Sequence, residues 1–316
     1  NGHGTNTAIG YRSLRLQDAG ADAFNTAVGF DAGTAITTGI RNTIIGGLAG
    51  DALTTGTRNV AVGYNALSTE DAGSYNTAIG YNALTVQDAG DAYNVAVGYN
   101  SGAAIQTGTE NTLVGAFVGD ALTTGVQNVA FGNGALGSET IRGKSVAIGY
   151  VALNAQTGAS SDSYNVAVGH SAGTLITSGV QNTILGGLAG DALTTGNYNI
   201  AIGYTALSTE DTGNKSVAIG HQALLNQNYH GNAFNTAVGH NVGAAITGGI
   251  FNTLIGGLSG DALIDGNHNV AVGYATLSDE DGHGYNVAIG NFALQNQNAG
   301  ADAYNTAVGY EAGNDI

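Results

Sequence analysis

A five-residue phrase, Asn-[Thr/Val]-Ala-[Ile/Val]-Gly with small variations, returns eighteen times along the chain, from Asn6–Gly10 to Asn305–Gly309. Its closing glycines begin Gly10, Gly29, Gly46, Gly63 and Gly80, so that the spacing is mostly 17, as from Gly29 to Gly46 and on to Gly63, with occasional 18, 19 or 20. A unit this short cannot bury an apolar face alone, but stacked copies can, so the period predicts a solenoid. Within the phrase, β-branched residues alternate with small ones, the period of two that marks a strand. The fold class is therefore all-β: a parallel β-solenoid of 18 coils.

Composition narrows the function classes. With 53 glycines and no Pro, Cys, Met or Trp in 316 residues, disulfides, thiolate metal sites and a cysteine nucleophile are excluded. The absence of Pro suits strands paired on both sides, where every backbone N–H is needed. A net charge of −16 with only 9% charged residues argues against a nucleic-acid partner or an anionic membrane surface. No apolar run approaches a membrane-spanning length, and Asn1 heads neither a signal-like segment nor an initiator Met, so the chain reads as part of a longer or processed protein.

A slower beat lies over the first. Counted in fours, the coils advance by 70, 69, 71 and 70 in the numbering, from Gly10 to Gly80, Gly149, Gly220 and Gly290. The chain thus reads as one continuous array, 1–316, of superrepeats at about 1–70, 71–140, 141–210 and 211–280 with a partial one at 281–316. Each contains four coil types. The first carries a longer, variable loop (16–23, 86–92, 154–163, 225–233, 295–303). The second reads G-x-x-A-G-x-A-I, the third G-G-L-A-G-D-A-L, and the fourth ends in an acidic turn such as Ser68–Asp71 or Ser208–Asp211. Residues 1–10 match 281–290 in phase, and neither end shows a polar capping coil, so the array is expected to continue or to stack on another copy.

Reading one coil gives inside and outside. The fourth position of the phrase is always large and apolar (Ile9, Val28, Ile45, Val62), and is expected to be the packed core. The opposite face, Ala then Gly, as in Ala27, Gly29, Ala61 and Gly63, is then an assembly face on which another subunit approaches closely. Leu14, Ile36, Leu53, Leu67 and Leu84 close further inward strands, two or three per coil. The leading Asn, present in all coils but those of Ser145 and Ser216, reads as a structural ladder, as at Asn25, Asn42, Asn59 and Asn76. An aromatic or His follows most closing glycines, from Tyr11 and Phe30 to Tyr310, and reads as a column stacking between coils. Seventeen steps of about 4.8 Å make a rod roughly 80 Å long.

Catalytic motifs are missing. No G-x-S-x-G elbow, P-loop or H-E-x-x-H occurs, and G-x-G-x-x-G carries no information where Gly recurs by structural period. The chain reads as no enzyme and as needing no cofactor. His221 and His240, on adjacent coils, could stack or hold an ion and are the one candidate ion site. Asp51, Asp120, Asp191 and Asp261 recur once in four coils, about 19 Å apart at strand spacing, too far to share a calcium ion, and read as solvated edge charge.

The phrases NVAVG at Asn59, SVAIG at Ser145 and Ser216, and the following G-Y-x-A-L resemble the head repeats of YadA-type trimeric autotransporter adhesins; related repeats occur in phage tail fibres. The resemblance covers all eighteen coils. It implies a left-handed parallel β-roll, assembled as a parallel trimer at a cell or virion surface. The expected function is a non-catalytic extracellular fibre or adhesin segment, partnered by copies of itself as a homotrimer or end-to-end filament, with its variable loops meeting a host surface or matrix glycan. The alternative is an ice-binding solenoid using the Thr pairs 37–38, 54–55, 123–124 and 194–195.

Overall fold

The computed structural model describes residues 5–158, 162–298 and 300–315. The first four residues of the 1–10 match, and parts of the loops at 154–163 and 295–303, lie outside the described residues. Among the described residues there is no helix; the regular structure is eighteen parallel three-residue strands, one per coil at the spacing of the repeated phrase, forming a β-solenoid. The chain divides into two compact units, Asn1–Asp162 and Ser163–Ile316. The first holds β1 (Thr7–Ile9) through β9 (Val146–Ile148), and the second β10 (Val166–Val168) through β18 (Thr306–Val308). Inside each unit, like pairs with like: Thr26 lies opposite Thr43, Ala27 opposite Ile44, and Val28 opposite Ile45.

Each coil has one strand rather than the two or three expected. A coil must turn a full revolution within one short repeat, and it does so with left-handed residues instead of further extended runs. In the coil of Val60–Val62, Asn65, Leu67 and Tyr75 have φ of 54°, 53° and 64°. Such angles cost a non-glycine residue about 1–2 kcal/mol each, so the stack must hold them in place. It does: the Leu67 N–H donates to Ala83 O at 3.0 Å, and the Tyr75 N–H to Thr57 O at 3.1 Å.

The glycine closing each phrase is fixed by close approach as well as by angle. Gly273 has φ of 141°, and a Cβ there would sit 2.6 Å from the carbonyl carbon of Gly290 in the next coil. The glycine column lets one backbone lie flat on the next.

Inside and outside are the reverse of the sequence expectation. Ala27 and Ala61, assigned there to an assembly face, are completely buried inside their own coils, while Val28, Val62, Ile45 and Ile79 face outward, Ile79 with 37% of its surface exposed. Gly29 and Gly63 stack on the next coil and are only partly exposed. The cause is the bore of the coil. The strand's inward position shares a narrow interior with the turn residues, so it takes Ala wherever a Leu stands across from it, as Leu67 stands in the coil of Ala61. In the third coil type, inward Ile44 is matched by Gly50, where a Cβ would come within 3.1 Å of Ile44 Cδ1; Leu113 with Gly119 and Ile184 with Gly190 repeat the exchange. Each fully buried Ile or Leu stabilises the coil by about 1.5–3 kcal/mol.

The four-coil beat has its origin in one buried corner, seven residues after each closing glycine. Reading along the stack it runs Gln17, Ile36, Leu53, Glu70, then Gln87, Ile105, Leu122, Glu139 and Gln156 in the first unit, and Ile176, Leu193, Glu210, Gln227, Ile246, Leu263, Glu280, Gln297 in the second. Apart from partly exposed Gln17, all of these, including the four glutamates of the acidic turns, are buried. A glutamate therefore always meets the glutamine of the following coil.

Candidate interaction surface

Within each unit the leading Asn side chains form a buried ladder, broken only at Ser145 and Ser216. Asn25 Oδ1 accepts the Asn42 N–H at 2.8 Å, Asn42 Oδ1 accepts the Asn59 N–H at 2.9 Å, and Asn59 Oδ1 accepts the Asn76 N–H at 2.9 Å. The amide nitrogens reach the opposite way: Asn25, Asn42 and Asn59 donate to the carbonyls of Gly39, Gly56 and Gly73 at 2.8–2.9 Å. Each Asn thus joins its own strand, the next strand and the far turn, and it does so inside the coil, where no ligand can touch it.

The polar corner joins this ladder. Glu70 Oε1 accepts the Gly73 N–H at 2.6 Å, and Oε2 accepts Gln87 Nε2 at 3.1 Å; Gln87 Oε1 in turn accepts Asn94 Nδ2 at 2.9 Å. Glu210, Gln227 and Asn235 repeat the relay, as do Glu280, Gln297 and Asn305. The carboxylate also accepts N–H groups from the following variable loop, Ala89 in one case and Tyr229 in another, so a loop of changing length starts from a fixed corner.

The two serines that interrupt the Asn ladder follow from the same geometry. Ser145 and Ser216 lie beside the glutamine, and their hydroxyls accept Gln156 Nε2 and Gln227 Nε2 at 2.9 and 2.8 Å. Asn76 occupies the same place in the superrepeat 71–140, and its buried Nδ2 has no partner. Replacing it by Ser removes an orphaned donor and supplies a second acceptor for Gln87 Nε2, beside Glu70. Asn76→Ser is expected to raise stability by about 1 kcal/mol, read as a higher urea midpoint; a lower midpoint contradicts this account.

The glutamate of each acidic turn thus belongs to the interior. The once-per-superrepeat aspartates are also partly withdrawn from water. Burial raises the carboxyls of Asp51, Asp120 and Asp191 above their ordinary range, with the charge of Asp31 adding a smaller push on Asp51; burial likewise raises Glu70, against the opposing hydrogen bonds from Gln87 and Gly73. A carboxyl whose pKa is higher folded than unfolded holds its proton better in the fold. Its contribution is full below the ordinary values of 3.8 and 4.5 and is lost as pH rises through the raised ones. The urea midpoint should therefore be higher near the top of the ordinary carboxylate range than at neutrality, and Asp51→Asn with Asp191→Asn should flatten that slope. A midpoint that falls monotonically on acidification contradicts this.

Outward, the strands present a broad face in four columns. Two are the second and fourth positions of the phrase: Thr26 and Val28, Thr77 and Ile79, Val270 and Val272. They are flanked by two aromatic columns. One is the column expected from sequence, where Tyr64, Tyr81 and Tyr99 stack at ring-centroid distances of 5.6 and 5.3 Å. The other, missed in the sequence reading, is the residue before the leading Asn. In the second unit it stacks Phe234, Phe251, His268, Tyr285 and Tyr304 in an unbroken run at 4.9–5.5 Å. In the first unit Arg58 lies over Tyr75, 5.2 Å from its centroid, and Tyr75 stacks on Tyr93. A regular offset from the Asn column was the signal that could have found it.

His221 and His240 belong to the first of these columns, with rings 5.0 Å apart and 10° from parallel. Imidazole lone pairs lie in the ring plane, so parallel rings direct them side by side rather than toward one ion. Among the described residues, two groups of side chains bring potential ligand atoms within 4.8 Å of one another, Glu70, Asp71, Asp88 and Glu280, Asp281, His283. In each, the glutamate already accepts backbone N–H groups, from Gly73 and from His283. The Thr pairs are also engaged in the fold: Thr37, Thr54, Thr123 and Thr194 each donate their hydroxyl to a carbonyl of the next coil, at 2.8–3.2 Å.

No family model and no curated protein matches the chain. Among the described residues, no helix is long and apolar enough to cross a membrane.

Proposed function

We propose that the chain is a non-catalytic segment of an extracellular fibre or adhesin, which assembles with copies of itself through the outward strand face and presents its variable loops for contact with a host surface or matrix glycan. The observation that carries this is where the charge lies. Of 23 acidic residues, the four columns of the strand face hold one, Glu110, while they hold four of the seven Lys and Arg residues, Arg41, Arg58, Lys144 and Lys215. A strongly acidic chain has cleared its acids from one face and lined it with β-branched and aromatic side chains. Exposed contiguous apolar surface of this kind marks an association site. The resemblance to trimeric adhesin heads favours a trimer. An ice-binding role draws less support, because the first Thr of each pair is hydrogen-bonded into the stack.

The test is the solution mass of the chain and of Ile79→Lys with Val97→Lys, which sit on the outward face and leave the core intact. Wild type is expected to sediment as an oligomer, a trimer if the resemblance holds, and the variant as a monomer. A wild-type chain that is monomeric across the accessible concentration range overturns the self-assembly reading; measurable thermal hysteresis would favour the ice-binding one.

A further inference from the structure

The stacked tyrosines carry a chemistry that the assembly reading does not use. The chain has 15 Tyr and no Cys, Met or Trp, so the side chains that ordinarily intercept oxidants ahead of tyrosine are missing. Several tyrosines are also held in pairs. Tyr75 and Tyr93 stack at 4.9 Å and 9° from parallel, Tyr285 and Tyr304 at 5.0 Å and 16°, and Tyr64, Tyr81 and Tyr99 form a run of three. Their phenol edges are open to solvent, Tyr93 with 54% and Tyr304 with 68% of its surface exposed. The partners are fixed in register by the strands beneath them, so neighbouring rings meet without any search.

We propose that these stacked pairs are sites of dityrosine formation, joining adjacent coils of one chain covalently under an oxidising system of the peroxidase and hydrogen peroxide class. Each of two phenols gives up one electron and its hydroxyl proton. The two phenoxyl radicals join through ring carbons ortho to oxygen, and the hydrogens on those carbons move to the oxygens as the rings regain aromaticity. Two tyrosines thereby lose two hydrogen atoms in all, and one hydrogen peroxide takes them up to become two waters. A solenoid without disulfides gains in this way a covalent tie between coils, which hinders the coil-by-coil fraying open to a stack held by nearest neighbours.

The inference does not rest on self-assembly, since each pair lies within one chain. The full chain is treated at low concentration with a haem peroxidase and hydrogen peroxide, then digested and mapped by mass spectrometry. The expected result is dityrosine fluorescence, an intact mass lower by two hydrogens per link with no chain doubling, and peptides joining Tyr75 to Tyr93 and Tyr285 to Tyr304. Tyr93→Phe keeps a ring in the stack and should lose the first link while retaining the second, which reports that the chain is still folded. Tyr198 is exposed, but its column neighbours are Gln181 and Lys215, so it should remain unlinked. Absence of dityrosine, links only between chains, or Tyr198 linked as often as Tyr75 would each overturn the proposal.

Discussion

Gly273→Ala is expected to cost about 4 kcal/mol, the sum of a left-handed backbone forced on a residue with a Cβ and of a clash that the neighbouring backbone cannot relieve by rotation. The φ at this glycine is 141°, and the added carbon would lie 2.7 Å from the carbonyl oxygen of Gly290 as well as 2.6 Å from its carbon. The opposing atoms are main chain, so relief means lifting one coil off the next and stretching the ladder on both sides. In a solenoid the damage falls on one interface, and the urea transition should broaden or split rather than shift as a whole. Gly282→Ala is the control. A Cβ there meets nothing within 4 Å, and that residue has no left-handed φ; its midpoint should stay within about 0.5 kcal/mol of wild type or rise slightly. Equal midpoints for the two variants would show that the close approach of coils does not limit stability.

The second large effect belongs to the buried corner. Glu70→Leu is expected to cost about 3 kcal/mol, because it leaves the Gly73 N–H and Gln87 Nε2 without acceptors in a buried place. The side chain itself fits, since Leu53 occupies the same corner one coil earlier. Adding Gln87→Ile, the residue found at this corner in Ile36 and Ile105, removes one of the orphaned groups and restores an apolar column. The double variant should recover about half of the loss, so that the two changes are non-additive by about 1–2 kcal/mol. If the effects simply add, the carboxylate and the amide are not coupled and the relay is only a coincidence of packing.

Much of this molecule could be read from its residues, and the misreadings have a common cause. The coil count, the parallel β-solenoid and the inward Leu and Ile of the turns followed from the period alone. Parity did not. Large β-branched residues were assigned to the interior because most sheets bury their largest side chains, yet a coil of this bore takes Ala there in three coils of four and Ile or Leu only in the third type. The needed signal was in the third coil type, where Ile44 or Leu113 appears in place of Ala together with a Gly six residues on. Volumes that compensate within one coil identify an inward position. The burial of Glu70 goes unread for a related reason: beside Asp71 it has the composition of surface, and only alignment at a constant distance from the closing glycine puts it in a column with Ile and Leu. The partly desolvated aspartates and the unpartnered amide of Asn76 depend on side-chain placement that no period conveys.

The corner column also sets how such an array changes length. Removal of one, two or three coils that parts a Glu from the Gln of the following coil leaves one of that pair without its partner and strands a polar group in the core. Removal or duplication of four leaves every corner neighbour as it was. The Glu and Gln coils are thereby bound to be gained or lost together, and recombination between copies in the coding sequence keeps the polar corner whole only when the crossover does not fall between them.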